Sequence, residues 1–247
     1  MDNSNRFDDA IQLDATDFNS FMALEFRIME EFANKLGYRD DAMDFHRKWT
    51  RHCDLMNEYL WNESAGFYVD YDVVGKKQSP ILASAGFLPL ICGAANQDQA
   101  ERLVAHLKNP ETFGTAFPVP SIARSSQDAS RKDMWRGPTW ININWLIIRG
   151  LREYGFHEEA EGLAACTRTV LMDFFGQFGT FFEYMDCDGE LEPPLLPRKG
   201  PNAPEKSPYH QVIFEFGWSY TLFVDLLYSA YRVEKVPSQE KAGVSSR

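Results

Sequence analysis

The chain is short of several things, and each shortage removes a class of function. No stretch of 18 or more apolar residues occurs in its 247 residues, so no membrane-spanning helix is expected. Cysteine is scarce: four residues, at 53, 92, 166 and 187, with no C-x-x-C pair and no histidine at ligand spacing from any of them. That removes the usual zinc sites and a disulfide framework, and leaves reduced thiols in a cytoplasmic protein as the expectation. Basic residues are outnumbered, 25 Lys and Arg against 36 Asp and Glu, for a formal charge of -11. A partner bound through a nucleic-acid backbone needs the opposite balance, so none is expected. Histidine numbers only five, and no repeat is strong enough to indicate a solenoid. No secretory leader is legible at the start.

What is abundant is apolar and aromatic material. Hydrophobic residues make up 44 % of the chain and aromatics 14 %, including six Trp and nineteen Phe. This is ample for the core of one large domain or two small ones. Aromatic platforms also serve sugar binding, and composition alone does not separate the two uses.

The pattern reads as helices in pairs. Residues 17–36 carry apolar side chains at Phe18, Phe21, Met22, Leu24, Phe26, Ile28, Met29 and Phe32, with Gly37 as a natural stop. A second helix is expected over 41–60. Residues 66–72 then alternate like a strand and Gly75 turns them, which predicts a hairpin. Further helices are expected at about 81–93, 97–107, 139–154, 157–175 and 211–232, and the polar tail 233–247 is expected to fray. Short turns within pairs and long loops between pairs are what a ring of helical hairpins gives. The two long loops, 109–130 and 176–209, hold parts of the candidate site; the second is rich in proline from Pro193 to Pro208.

Three segments carry the chemistry. The first is Met1-Asp2-Asn3-Ser4-Asn5-Arg6-Phe7-Asp8, whose plain reading is a capping or turn cluster. The second is Trp135-Arg136-Gly137-Pro138-Thr139-Trp140-Ile141-Asn142-Ile143-Asn144-Trp145. Pro138 suits the first turn of a helix whose aromatics face the core; alternatively, the residues just ahead of it place an indole and a guanidinium against a sugar, with Gly137 allowing close backbone approach. The third is Phe181-Phe182-Glu183-Tyr184-Met185-Asp186. A carboxylate among aromatics bears a desolvation cost and marks a candidate site, unless Glu183 turns outward while the rings turn in. Asp186 and Asp188 beside Gly189 read as a turn. Two carboxylates in aromatic surroundings suit glycoside hydrolysis, one as acid and one as base.

The wording of these segments resembles glycoside hydrolase family 63 and its mannosylglycerate-hydrolase-like relatives over about residues 1–232. The family's acid-bearing stretch, Gly-x-Asp-Asn-Ser-Pro-Arg-Phe/Trp-Asp, stands here as residues 1–8, with Asn5 in place of the usual Pro. Its Tyr-Trp-Arg-Gly-Pro-x-Trp block stands at Met134–Trp145, and its base-bearing Phe-x-Glu stretch at Phe182–Asp186, with Met185 where Tyr is usual. Similar phrases run through 86–90, 99–103, 113–121 and 216–219. The resemblance implies an all-α (α/α)6 barrel, of which about seven of twelve helices are legible here, the rest lying upstream of Met1. It implies an inverting, exo-acting glycosidase for an α-linked glucoside or mannoside, with Asp2 as general acid and Glu183 as general base. Asn3, Arg6, Phe117, Trp135, Arg136, Gly137 and Trp218 would bind substrate. It implies no metal or organic cofactor, a small carbohydrate as partner, and no membrane partner. With half of the inner ring upstream, little turnover is expected from these 247 residues alone. A trehalase- or glucoamylase-like hydrolase shares fold and carboxylates, and a sugar-binding pseudo-enzyme would keep the pocket without the acid. An isomerase on the same toroid would favour paired histidines, and none of the five stands in the three segments.

Overall fold

A computed structural model describes residues 12–126, 131–198 and 211–235. Among them lie seven α-helices: α1 Thr16–Leu36, α2 Arg39–Tyr59, α3 Pro89–Cys92, α4 Gln97–Lys108, α5 Ile141–Glu153, α6 His157–Phe178 and α7 Gly217–Lys235. Five two-residue strands accompany them: β1 Leu13–Asp14, β2 Trp61–Asn62, β3 Phe67–Tyr68, β4 Tyr71–Asp72 and β5 Lys77–Gln78. The fold is the (α/α)6 type. Helices α1, α3, α5 and α7 lie side by side in an arc, while α2 pairs with α1 and α6 with α5.

Local chemistry sets the helix ends. The Thr16 amide donates to Asp70 Oδ1 at 2.8 Å, which anchors the start of α1. Gly37 adopts φ 82 and closes it, as the sequence predicts. Helix α4 opens on a reciprocal cap: Gln99 N donates to Asn96 Oδ1 at 2.9 Å, and Asn96 N to Gln99 Oε1 at 2.8 Å.

Four expectations need correction. The expected helix at 81–93 shrinks to a 3-10 turn, Ser84–Phe87, followed by the single turn of α3. Pro89 lacks the N–H that would carry one helix through, and Ala83 pairs with Ile122 instead. Helix α5 starts at Ile141, so Pro138 is not in its first turn; Thr139 is held in extended pairing with Met185. Helix α7 starts at Gly217 rather than 211, because Phe214 pairs with Phe182 and Gln211 with Pro197. The single hairpin predicted over 66–75 is two: β2 pairs with β3, and β4 with both β5 and β1.

The apolar stripe of α1 also divides differently from its reading. Small residues, Thr16, Ser20, Ala23 and Ala33, face inward, while Phe18, Phe21, Phe32 and Leu36 are exposed. At the other end of the arc, α7 exposes Trp218, Val224 and Leu227.

The core centres on Phe67, Phe87 and Phe113. Phe113 stacks on Phe67 at 5.2 Å and meets Phe87 edge-on at 4.9 Å. Beside them the buried Tyr68 hydroxyl donates to Asn57 Oδ1 at 2.5 Å. Gly86 makes this packing possible: a Cβ there would lie 2.2 Å from the Phe67 ring and 2.3 Å from the Tyr68 carbonyl. Gly86→Ala is therefore expected to destabilise the fold by about 1–3 kcal/mol, read from the urea midpoint. An unchanged midpoint would show that this close approach is not obligatory.

Candidate active site

The site begins with backbone pairing. Thr139 and Met185 exchange both hydrogen bonds, at 2.8 and 3.1 Å, and the Glu183 amide donates to Ile213 O at 2.8 Å. The segment ahead of α5, the segment after α6 and the segment ahead of α7 are thus stitched together. Their side chains converge as a consequence.

Glu183 does not alternate outward. It is 5 % exposed, and Phe181, Phe182, Tyr184 and Met185 are buried with it. Its carboxylate is answered by Arg198, whose Nε donates to Oε2 at 2.8 Å and whose Nη2 reaches Oε1 at 3.4 Å. This fork supplies the charge-assisted bonds that burial of a carboxylate requires. The bond to Glu183 also pushes the Arg198 guanidinium above its ordinary range, so it stays charged. The Tyr184 hydroxyl donates to Pro197 O at 2.7 Å, and burial raises its proton affinity. Arg198 stood in no sequence motif; its only signal was its place in the proline-rich loop after Glu183.

An aromatic series runs beside the carboxylate. Trp135 stacks on Trp140 with centroids 3.6 Å apart and planes 10° apart. Trp140 packs on Tyr184 at 5.0 Å and meets Phe216 edge-on at 6.5 Å, and Phe216 meets Trp218 at 5.5 Å. Trp140 is buried and its Nε1 donates to Met134 O at 2.9 Å, whereas Trp218 is 54 % exposed. The row thus runs from core to surface.

The other sequence candidates fall as follows. Arg136 pairs with Asp133, Nη2 to Oδ2 at 2.5 Å, and not with Glu183. Gly137 is buried at φ 135 and its amide donates to Ser121 Oγ at 2.8 Å. Phe117 lies in the main core cluster, and its carbonyl accepts from Thr139 Oγ1 at 2.7 Å. Asn144 is fully buried and donates to Pro118 O at 2.7 Å, locking α5 to the loop before it. Asp2, Asn3 and Arg6 lie outside the described residues.

One acidic group has the shape of a metal site. Ligand atoms of Asp186, Cys187 and Asp188 lie within 4.8 Å of one another. Its donor set argues against that use. Lys132 bonds Asp186 Oδ2 at 2.8 Å, and Arg124 bonds Asp188. Burial pushes the Cys187 thiol up to about 12, so it keeps its proton. Asp186 instead organises a turn, accepting from the Glu190 and Leu191 amides at 3.0 and 2.9 Å. A cavity of about 370 Å³ between the end of α4 and the start of α6 contains none of these residues.

The mannosylglycerate hydrolase MGH1-like glycoside hydrolase domain matches residues 2–190. The chain belongs to this family, within glycoside hydrolase family 63. Two mannosylglycerate hydrolases are similar to it in sequence. That of Rubrobacter radiotolerans is 32 % identical over 172 residues, 68 % of this chain and 37 % of the relative. That of Thermus thermophilus is 36 % identical over 141 residues, 56 % of this chain and 32 % of the relative. Among solved structures, a family 63 mannosylglycerate hydrolase of Thermus thermophilus in complex with glucose superposes with a TM-score of 0.65 at 26 % identity, covering 88 % of this chain and 48 % of that one. Neutral trehalase Nth1 of Saccharomyces cerevisiae reaches a TM-score of 0.69 at 19 % identity, over 91 % of this chain and 40 % of that one, a likeness of fold. The chain thus spans about a third of the curated relatives' length and about half of the Thermus structure.

Asp186 tests the structural half of this family segment. Asp186→Ala removes the buried one of the two carboxylates bonded to Lys132 and strands the Glu190 and Leu191 amides, and is expected to cost about 3 kcal/mol in a denaturant titration. Asp186→Asn keeps an acceptor for the amides and should cost only about 1–2 kcal/mol. Equal losses would mean that the ion pair, rather than the turn, sets the stability.

Proposed function

We propose that this chain carries the base-bearing part of an inverting, exo-acting glycosidase that hydrolyses an α-linked glucoside or mannoside such as mannosylglycerate. The observation that carries the reading is Glu183: a buried carboxylate, kept in ionic partnership by Arg198, beside a row of indole and phenyl rings that reaches the surface. The names of the relatives, and the glucose and D-glycerate held by the Thermus structures, support this substrate class.

In the proposed reaction Glu183 accepts a proton from a water as that water's oxygen attacks the anomeric carbon. The glycosidic C–O bond breaks on the opposite face, and Asp2 protonates the departing oxygen. Water leaves room between acid and base, so the two carboxyl groups are expected roughly 6.5–9.5 Å apart. Trp135 and Trp218 offer faces for the sugar, with Asn3, Arg6, Phe117, Arg136 and Gly137 completing the substrate contacts. The four cysteines are free thiols, and no described helix is long and apolar enough to cross a membrane; we read the compartment as cytoplasmic.

The test uses the chain alone and the chain joined to the part of the Thermus relative that precedes the matched stretch. Both meet α-glucosides, α-mannosides and mannosylglycerate, with the product anomer read by NMR. Hydrolysis with inversion is expected from the joined protein and little from the chain alone. Glu183→Gln should lower kcat by about 10²–10⁴-fold with little change in ligand affinity. Retention of configuration, or a fully active Gln variant, removes the mechanism. Trp135→Ala is expected to weaken sugar binding about tenfold, roughly 1.4 kcal/mol, without unfolding the protein. Unfolding without a separable binding defect would make Trp135 a core residue only.

A further inference from the structure

The geometry points to Arg198 as a positioning residue that supplies the counter-charge to the buried Glu183 carboxylate and fixes its plane for proton acceptance. This rests on the glycosidase reading for its use in catalysis, although the ionic role stands without it.

A base must be ionised to take a proton, and burial among aromatic rings opposes ionisation. Glu183 is 5 % exposed with Phe182 and Tyr184 on either side of it in the chain, so it needs a compensating charge. The charged and titratable groups around it are few. Arg198 meets it in a fork at 2.8 and 3.4 Å. The Tyr184 hydroxyl donates its hydrogen bond to Pro197 O. Beyond Tyr184, Asp133 and Arg136 pair with each other. On the segment that binds the Glu183 amide, Glu215 is exposed. Arg198 is therefore the cation bonded to this carboxylate among the described residues.

Its own placement is fixed by neighbours. Pro197 holds the Tyr184 hydroxyl, Leu196 is fully buried, and the Val212 amide donates to Leu196 O at 3.3 Å. The loop thus delivers Arg198 from beyond Pro193, Pro194 and Pro197 to a set position. The fork uses two of the roughly four acceptor directions of a carboxylate, leaving others for a water. A buried ion pair adds little stability over a well-packed apolar pair. Retaining one against the proposed base is therefore better explained by what the charge does than by what it stabilises.

The experiment compares the chain with Arg198→Met, Arg198→Lys and Arg198→Met combined with Glu183→Gln. At pH 7 the Met variant leaves the Glu183 carboxyl group buried without its cation, whether it bears an uncompensated charge or takes up a proton to avoid it, and Tm is expected to fall by about 5–15 °C. Acid protonates that carboxylate and removes the penalty, so the gap from the unmodified chain should at least halve by pH 4. Adding Glu183→Gln should restore most of the loss at pH 7, and Lys should fall between. A gap that is the same at both pH values, with no restoration by Gln, overturns the proposal and leaves Arg198 as packing. If Arg198→Met does not fold, the double variant decides: folding supports the charge role, and failure to fold overturns it. In the joined, active protein Arg198→Met is expected to lower kcat by about 10–100-fold with KM within about threefold. The acid limb of its pH profile should move up, and Lys should recover part of both. An unmoved acid limb overturns the positioning role. Absence of hydrolysis by the unmodified joined protein, with the pH-dependent stability gap intact, sinks the glycosidase reading and leaves the ionic role of Arg198 standing.

Discussion

The two-way hydrogen bonding between Thr139 and Met185 is the constraint on which the candidate site depends. It ties the entrance to α5 to the exit from α6, and the neighbouring bond from Glu183 to Ile213 adds the entrance to α7. None of these segments has regular structure of its own, and each would otherwise be a loop free to wander. Once paired, their side chains have no choice of neighbours: Trp140 must meet Tyr184, and Phe182 must meet Phe214. The same pairing holds Thr139 and Trp140 in extended backbone and so delays the start of α5 to Ile141.

Around this stitch the acidic groups are handled one by one. Glu183 has Arg198, Asp133 has Arg136, and Asp186 has Lys132. Each carboxylate side chain is nearly buried, and each would be expensive without its cation. For Lys132 burial pulls the ammonium down, but its bonds to Asp186 and Glu190 outweigh this and leave it above its ordinary range. Lys132 and Arg136 stand in one segment ahead of α5 and Arg198 in the loop after Glu183, so ordering of these two segments and neutralisation of the buried carboxylates go together.

The arc of α1, α3, α5 and α7 places this site toward its α7 end, and the two end helices present some of the largest exposed apolar side chains. In the Thermus hydrolase about as much chain again accompanies the matched half. A half-ring is in keeping with two observations: a well-packed Glu183 side, and apolar helix faces on α1 and α7 that the described residues do not cover.

Much was legible in the residues themselves. The long helices, the pairing of α1 with α2 and of α5 with α6 by short turns, and the closure of α1 at Gly37 follow from apolar periodicity and from backbone that only glycine adopts easily. The three motif segments, by their wording, named the family and singled out Glu183. Periodicity did not say which face of α1 turns inward, because it measures how apolar a face is and not what lies opposite; small residues won the inside since they let neighbouring elements approach. It did not foresee the late starts of α5 and α7, because extended pairing between segments far apart in sequence overrode local helix preference. Nor did it find Arg198, 15 residues beyond Glu183 in a loop without pattern. The sequence determined which groups need partners, since burial of charge and of backbone polar atoms is costly whatever the fold. Only the tertiary structure decided which partner each one received, because that depends on which loops meet in space.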